Sequence, residues 1–192
     1  MGYAIAEELA ASGAKVSLVS GPVQLNVWSP GIQLFAVESA REMHETCLSL
    51  FPETDGAVMC AAVADFTPIA TSENKLKRGN DNLELQLKPT ADIAADLGRL
   101  KTSKQLLVGF ALETTDELQN AYAKLKRKNL DFIVLNSMND PGAGFGVDTN
   151  KITLIDSDNN QAFFELKSKA EVAADIVARI ISGMERKNGL QD

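Results

Sequence analysis

Two kinds of hydrophobic pattern alternate along the chain. Short apolar runs predict buried β-strands, and longer segments with apolar residues three or four positions apart predict amphipathic helices. The runs predict strands at residues 15–19, 32–37, 55–61, 83–87, 106–111 and 131–135. The longer segments predict helices at residues 1–10, 39–52, 91–100, 114–128 and 168–184. Mostly apolar strands that alternate with helices are typical of a parallel sheet covered on both faces.

The last part of the chain has a different pattern. Residues 151–155 and 162–166 are strand-like and flank five polar residues at 156–160, which predicts a β-hairpin. With 192 residues and 45% hydrophobic content, the chain fits one domain with its own core. We therefore expect a single α/β domain over residues 1–192: a three-layer, Rossmann-like, mainly parallel sheet with helices on both faces and a C-terminal β-hairpin.

Charge and composition exclude several classes of protein. The net charge of −7 and the pI near 4.8 argue against a nucleic-acid-binding surface but allow a local site for one small anion. No apolar stretch approaches the roughly 18 residues of a membrane span, and no signal peptide is visible. Cys47 and Cys60 are expected to be buried, reduced thiols. We expect a soluble, cytoplasmic protein without nucleic-acid or membrane partners.

Two helix starts stand out. The first predicted helix begins at Met1, whereas in alternating α/β proteins a strand and a glycine-rich turn normally come first. The pattern therefore begins one element late. At the second predicted helix, Ser39 lies three positions before Glu42, which predicts a capping box.

The clearest chemical signal joins an apolar strand to a cationic segment. The strand opens into small residues and then Asp65, and ten residues later comes Lys75-Leu76-Lys77-Arg78. Small residues let a backbone lie close to a bulky polar ligand, and a lysine neutralises phosphate oxygens. The combination suggests a nucleoside triphosphate held with a metal ion.

Further candidate segments follow other strands. Residues 61–65, 109–114 and 136–140 each come at the carboxyl end of a predicted strand, where open α/β sheets bind ligands. The helix start at Thr90-Ala91-Asp92-Ile93 adds free backbone N–H groups that bind anions. Together these segments predict one ligand-binding crevice, but they do not name the ligand.

In order and spacing, these motifs closely resemble the phosphopantothenoylcysteine synthetase family, over nearly the whole chain. That family is the domain that follows the flavin-dependent decarboxylase in the bifunctional bacterial coenzyme A enzyme. The resemblance rests on Met1-Gly2-Tyr3-Ala4-Ile5-Ala6, Ser20-Gly21-Pro22-Val23, Val37-Glu38-Ser39-Ala40-Arg41-Glu42-Met43, Ala61-Ala62-Val63-Ala64-Asp65-Phe66, Lys75-Leu76-Lys77-Arg78, Thr90-Ala91-Asp92-Ile93, Val108-Gly109-Phe110-Ala111-Leu112-Glu113-Thr114, Lys126-Arg127-Lys128-Asn129-Leu130-Asp131 and Phe145-Gly146-Val147-Asp148-Thr149-Asn150.

The resemblance implies a two-step ligation in coenzyme A biosynthesis. The carboxylate of 4′-phosphopantothenate attacks CTP to give an acyl-cytidylate, and the amine of L-cysteine then displaces CMP. It implies that Lys75 is the catalytic lysine and that Asp65 binds the nucleotide and Mg²⁺. The remaining implied CTP contacts are Ala61, Ala91, Asp92, Ile93, Ala94, Phe110, Lys124 and Lys128.

Several of these residues also have an ordinary structural explanation. Phe110 fits the core of its strand, and Lys124 and Lys128 fit a helix C-terminus, where cations favour the helix dipole. Asn136 aligns with an asparagine at a strand end in the family, and the resemblance implies that it orients substrate. His44, the single histidine, has no partner at ligand spacing, so we expect it to be partly buried and structural.

The sequence departs from the family pattern at its start. The family has a strand and a glycine- and serine-rich loop ahead of the methionine and glycine found here as Met1 and Gly2, and that loop carries an asparagine implicated in the second step. We expect a polypeptide of these residues alone to be impaired in forming product. The resemblance also places FMN in the separate decarboxylase domain and implies a homodimer, for which the hairpin with Phe163 and Phe164 is a plausible contact.

Two other classes of protein stay open at this point. A Rossmann-like oxidoreductase would need a GxGxxG turn after its first strand and an acidic residue about 20 positions later, and neither is visible. A non-catalytic dimerisation module is the second alternative. The choice between CTP and ATP depends on base contacts that the sequence does not reveal.

Overall fold

The structure is a computed structural model of the chain, and it describes residues 1–70, 72, 74–75, 84–137 and 147–189. Its helices are α1 Gly2–Ala11, α2 Ala40–Leu50, α3 Ile93–Leu100, α4 Glu117–Arg127 and α5 Lys169–Lys187, with a 3₁₀ turn at Phe51–Glu53. Its strands are β1 Val16–Ser20, β2 Ile32–Ala36, β3 Gly56–Met59, β4 Phe66–Pro68, β5 Leu87–Pro89, β6 Leu106–Glu113, β7 Phe132–Ser137, β8 Thr149–Asn150, β9 Ile152–Asp156, β10 Gln161–Phe163 and β11 Lys167–Ser168. None of the helices in these ranges is both long enough and apolar enough to cross a membrane.

The central sheet has five strands in the order β10-β9-β7-β6-β3. Strands β3, β6 and β7 are parallel, and β9 and β10 continue the sheet in antiparallel fashion. The parallel pair β1 and β2 forms a separate small sheet. The carboxyl ends of β3, β6 and β7 therefore meet at one edge, which we call the carboxyl edge.

Both faces of the central sheet are buried. Along β6, Leu107 packs into a core with α2, α3 and α4, while its neighbour Val108 packs into a second core with α1 and α5. The same alternation runs through Ile133 and Val134 on β7. Burying each such side chain contributes about 1.5–3 kcal/mol. The prediction of a three-layer α/β fold with a mainly parallel sheet is confirmed.

One predicted strand was misplaced. The alternating segment 83–87 was expected to be a strand, but the structure assigns β5 to Leu87–Pro89, and residue 83 lies outside the described residues. Strand β5 pairs with β4, which was not predicted, and neither belongs to the central sheet. Leu85 and Leu87 are 60% and 50% exposed, so the alternation there does not mark a buried face of the central sheet.

The predicted hairpin is confirmed, with a shorter second strand than expected. Strands β9 and β10 pair antiparallel, and the carboxylate of Asp156 accepts hydrogen bonds from the backbone N–H groups of Asp158 and Asn160 in the turn. Strand β10 ends at Phe163, which is exposed at the sheet edge. Phe164 instead packs against the α1 and α5 core.

The two helix caps near Ser39 and Ser168 differ. Ser39 Oγ accepts a hydrogen bond from the backbone N–H of Glu42, as predicted, but the Glu42 carboxylate accepts from the N–H of Glu38 instead of Ser39. The predicted capping box is therefore only half formed. A complete capping box occurs at the start of α5, between Ser168 and Glu171.

Candidate active site

The loop after β3 is joined to the segment that leads into α3. The Thr90 hydroxyl donates a hydrogen bond of 2.6 Å to the carbonyl of Ala64, and the Thr90 N–H donates one of 2.9 Å to the carbonyl of Asp65. Thr90 precedes the cap of α3 by two residues. The predicted metal-binding residue and the predicted anion-binding helix start are thus neighbours at the carboxyl edge.

Asp92 caps α3 and also binds a lysine. Its Oδ1 accepts hydrogen bonds from the backbone N–H of Ala95 at 3.1 Å and from Lys128 Nζ at 2.8 Å. Partial burial acts to raise the pKa of Asp92, but the hydrogen bonds from Lys128 and Ala95 outweigh it and hold the pKa below its usual range. Two predicted CTP contacts that lie 36 positions apart are therefore in direct contact.

Four predicted contacts at the start of α3 have different environments. Ala91 and Asp92 are exposed, and Ala94 is half-buried. The Ile93 side chain, in contrast, belongs to the core that contains residues of α2, α3 and α4. Ile93 can therefore offer a ligand only its backbone. The first backbone N–H groups of a helix have no partner within the helix, and they suit a phosphate oxygen.

Lys124 and Lys128 lie one turn apart on α4, as predicted. Lys124 Nζ lies 3.4 Å from Oε1 of Glu113, the last residue of β6, while Lys128 binds Asp92. Both ammonium groups are therefore held beside carboxylates of the carboxyl edge. The pair with Glu113 has no local sequence signal, because Glu113 lies on β6 and Lys124 on α4.

Phe110 lies on the other face of the sheet. Its ring packs with the α1 and α5 core, and Phe110 is paired in register with Val134 of that core. Asn136, two positions further along β7, shares this face. The sheet therefore separates Phe110 and Asn136 from the two lysines, and a ligand touching all of them would have to extend over the carboxyl edge.

Three predicted contacts lie in exposed segments that follow β3 in the chain. Ala61, Asp65 and Lys75 are all exposed, and Ala61 follows the end of β3 by two residues. Within the described ranges, no group of three or more His, Cys, Asp or Glu side chains is arranged to bind a metal ion. Residues 76–78, 138–140 and 145–146 of the predicted motifs lie outside the described residues.

His44 is partly buried, as expected, and it has a partner that the sequence did not reveal. Its Nε2 lies 2.7 Å from Oδ2 of Asp96, which joins α2 to α3. Both side chains are half-buried. Cys47 and Cys60 are half-buried free thiols, and burial raises the pKa of each.

A second asparagine, Asn150, lies against Asn136. Asn150, on β8, is buried, and its Nδ2 donates a hydrogen bond of 3.2 Å to Oδ1 of Asn136. The two residues belong to different strands, so their contact could not be predicted from local sequence. Asn150 is part of the 145–150 motif that contributed to the resemblance.

Comparison with known proteins supports the resemblance along nearly the whole chain. The chain is 58% identical over 182 residues to a prokaryotic protein named cysteine/cysteine sulfinic acid decarboxylase, covering 95% of this chain and 51% of that protein. It is 42% identical over 180 residues to the coenzyme A biosynthesis bifunctional protein CoaBC of Bacillus subtilis, covering 94% and 44%. The chain thus spans about half the length of these curated relatives.

A solved structure has the same fold. The crystal structure of the C-terminal domain of a coenzyme A biosynthesis bifunctional protein CoaBC superimposes with a TM-score of 0.80 at 35% identity, covering 96% of this chain and 82% of that one. Residues 1–184 also match the family described as the DNA/pantothenate metabolism flavoprotein C-terminal domain. The chain belongs to this family.

Proposed function

We propose that this domain joins 4′-phosphopantothenate to L-cysteine with the energy of CTP, by way of an acyl-cytidylate. The observation that carries the proposal is the convergence at the carboxyl edge. Lys124 and Lys128 reach carboxylates there, and the loop bearing Asp65 is hydrogen-bonded to Thr90 beside α3. The relatives named as coenzyme A biosynthesis proteins support the same reaction.

The first step transfers a cytidylyl group. A carboxylate oxygen of 4′-phosphopantothenate attacks the α-phosphorus of CTP, and the bond from that phosphorus to the pyrophosphate oxygen breaks. Attacker and triphosphate are both anions, so the site must neutralise charge and align them. Lys75 is the proposed catalytic lysine, and Lys124, Lys128 and the first backbone N–H groups of α3 hold the remaining negative charge.

The second step forms the amide. The amine nitrogen of L-cysteine attacks the acyl carbon of the acyl-cytidylate, the bond from that carbon to the CMP oxygen breaks, and the nitrogen loses a proton. CMP is a good leaving group, whereas the oxygen of a free carboxylate is not. In this proposal Phe110 contacts CTP and Asn136 orients substrate, so the bound nucleotide extends over the carboxyl edge from the lysines to the opposite face of the sheet.

Mg²⁺ is the proposed metal ion, with Asp65 as its protein ligand. An exposed carboxylate beside the start of α3 fits an ion that binds one or two protein oxygens together with substrate phosphates. When bound, Mg²⁺ would neutralise triphosphate charge. FMN is not assigned to this domain, and the proposal places the flavin in the decarboxylase domain of the bifunctional relatives.

The Rossmann-like oxidoreductase has less support than the ligase. No GxGxxG turn occurs in residues 1–192, and the relatives named as coenzyme A biosynthesis proteins support the ligase instead.

The free thiols suit a reducing compartment, and we place the enzyme in the cytoplasm.

We also propose that the domain works as a homodimer. Phe163 is 69% exposed on β10, which is an edge strand of the central sheet, and an exposed aromatic residue there suits a subunit contact. Sedimentation velocity at micromolar concentration tests this. A dimer that Phe163→Ser weakens supports the contact, and a monomeric parent protein contradicts it.

The ligase proposal is tested by nucleotide binding and product formation. Thermal shifts with CTP, ATP and NAD(P) should show stabilisation by CTP, and stabilisation by a dinucleotide alone would contradict the proposal. Phosphopantothenoylcysteine is then measured by mass spectrometry in a chain carrying the family's strand and loop ahead of Met1. Lys75→Gln should lower turnover by about 100-fold or more, whereas Lys104→Gln, at an exposed lysine before β6, should not. Undiminished activation in Lys75→Gln would remove Lys75 from the site.

A further inference from the structure

Asn150 is a buried polar residue held firmly between strands. Asn150 is 3% exposed, and β8 pairs with β11, where Asn150 lies opposite Lys167. Ser168, the residue after Lys167 on β11, caps α5 and forms the complete capping box with Glu171. The start of the longest helix therefore fixes the position of Asn150.

The hydrogen bonds of Asn150 define which way its amide points. Oδ1 accepts a hydrogen bond of 3.0 Å from the backbone N–H of Lys151. A backbone N–H can only donate, so the atom facing it must be the oxygen. The Nδ2 group of Asn150 is then the atom that faces Asn136.

The orientation of the Asn150 amide determines the orientation of the Asn136 amide. Because Nδ2 of Asn150 can only donate, the atom of Asn136 that lies 3.2 Å from it must be the acceptor Oδ1. The other end of the Asn136 amide is its Nδ2 group, which carries two donors. Asn136 lies one residue before the end of β7, so this amide stands at the carboxyl edge.

We propose that Asn150 is a positioning residue that fixes the amide of Asn136 so that it presents N–H donors to a substrate oxygen. The donor suits a carboxylate, phosphate or carbonyl oxygen and would be repelled by an N–H group. The inference rests on the proposed function, because it assumes that a substrate occupies the carboxyl edge. Asn150 itself touches no substrate in this arrangement.

Asn150→Asp tests whether the amide of Asn150 determines the orientation of the Asn136 amide. The new carboxylate still accepts from the N–H of Lys151, but it cannot donate to Asn136. The Asn136 amide then turns to donate to the carboxylate, and it presents Oδ1 at the carboxyl edge. Calorimetry at pH 8 should show about 10- to 100-fold weaker binding of 4′-phosphopantothenate or of CTP.

The same variant has a pH signature that simple destabilisation would not produce. Burial raises the pKa of a carboxyl group, and a protonated carboxyl can again donate to Asn136 while its carbonyl accepts from Lys151. The affinity of Asn150→Asp relative to the parent protein should therefore recover as the pH falls from 8 to 5.5. A loss of affinity that stays constant with pH would show that Asn150 does not orient Asn136 in this way.

Two further variants complete the test. Asn188→Asp adds the same charge just beyond α5, at the opposite end of that helix, and should bind both ligands like the parent. Asn136→Asp keeps the acceptor for Asn150 and removes the donors, so it should lose the same affinity even if Asn150→Asp fails to fold. Parent-like binding by Asn136→Asp overturns the inference. A parent protein that binds neither ligand overturns the proposed function instead.

Discussion

Lys128 Nζ lies 2.8 Å from Oδ1 of Asp92, so the C-terminal end of α4 is bonded to the cap of α3. One helical turn earlier, Lys124 reaches Glu113 at the end of β6. Both lysines are thus directed to the carboxyl edge by carboxylates. A bound triphosphate would compete with these carboxylates for the same ammonium groups.

Removing either lysine charge should weaken nucleotide binding. Lys124→Gln and Lys128→Gln should each raise the Kd for CTP by about tenfold or more, because a hydrogen bond from a charged donor is lost. Isothermal calorimetry measures the change. The matched control is Lys126→Gln, since Lys126 Nζ donates to the Ser157 carbonyl at 2.7 Å on another side of α4. Equal losses in all three variants would indicate a general charge effect and contradict the assignment.

The metal assignment predicts a shifted Mg²⁺ requirement. Asp65→Asn removes one anionic oxygen ligand, so product formation should need a several-fold higher Mg²⁺ concentration, and excess EDTA should abolish it in both proteins. Titration of activity with MgCl₂ measures the shift. Asp158→Asn, in the exposed turn after β9, is the control and should leave the titration unchanged. An unchanged midpoint in Asp65→Asn would rule out this ligand.

Close packing of α3 on the end of α4 predicts a sensitive glycine. A methyl group at Gly98 would collide with the carbonyl oxygen of Lys128, which is backbone and cannot turn away. Gly98→Ala should lower the free energy of unfolding by about 1–3 kcal/mol and weaken CTP binding with it, because Asp92 and Lys128 are forced apart. Gly21→Ala is the control, since its methyl group would lie 4.0 Å from the Met43 methyl carbon.

Denaturant unfolding and calorimetry measure the two effects of Gly98→Ala. A variant with parent-like stability and affinity would show that α3 and α4 can separate without cost. Loss of stability with full CTP affinity would show that the Asp92–Lys128 contact does not contribute to the site.

Much of the fold could be predicted because hydrophobic patterning decides it locally. Strand β6 is apolar at successive positions, since Leu107 and Val108 face different cores, and that pattern alone predicts a strand buried on both faces. Strands β4 and β5 have three residues each, and both belong to a small separate sheet. Such short exposed strands carry little hydrophobic signal, which explains why β4 was missed and β5 misplaced.

The site was less predictable because its contacts join distant segments. Lys124 and Lys128 were expected to share a face of their helix, and the helical repeat is enough for that. Their partners Glu113 and Asp92 depend on how α4 packs against β6 and α3, which no local spacing specifies. The contact of Asn136 with Asn150 is of the same kind.

The hydrogen bonds of Asp131 predict how the free energy of unfolding depends on pH. Its carboxylate accepts hydrogen bonds from Lys101 at 2.9 Å, from Lys187 at 2.8 Å and from the N–H of Leu107 at 2.7 Å, so it joins α3, α5 and β6. Partial burial acts to raise the pKa of Asp131, but the hydrogen bonds from Lys187, Leu107 and Lys101 outweigh it and hold the pKa below its usual range.

A carboxyl group with a lowered pKa stabilises the fold above its unfolded pKa of about 3.9, and this contribution is lost as the pH falls through the lower, folded pKa. Asp131→Asn should therefore lower the free energy of unfolding at pH 7 by about 3 kcal/mol, because an amide N–H₂ group then faces a lysine. The difference from the parent protein should shrink below pH 4, where protonation weakens the same contacts in the parent. Urea unfolding from pH 7 to pH 3 measures it, with Asp158→Asn as the exposed control. A difference that is independent of pH would show that packing around Asp131, rather than its charge, holds the three elements together.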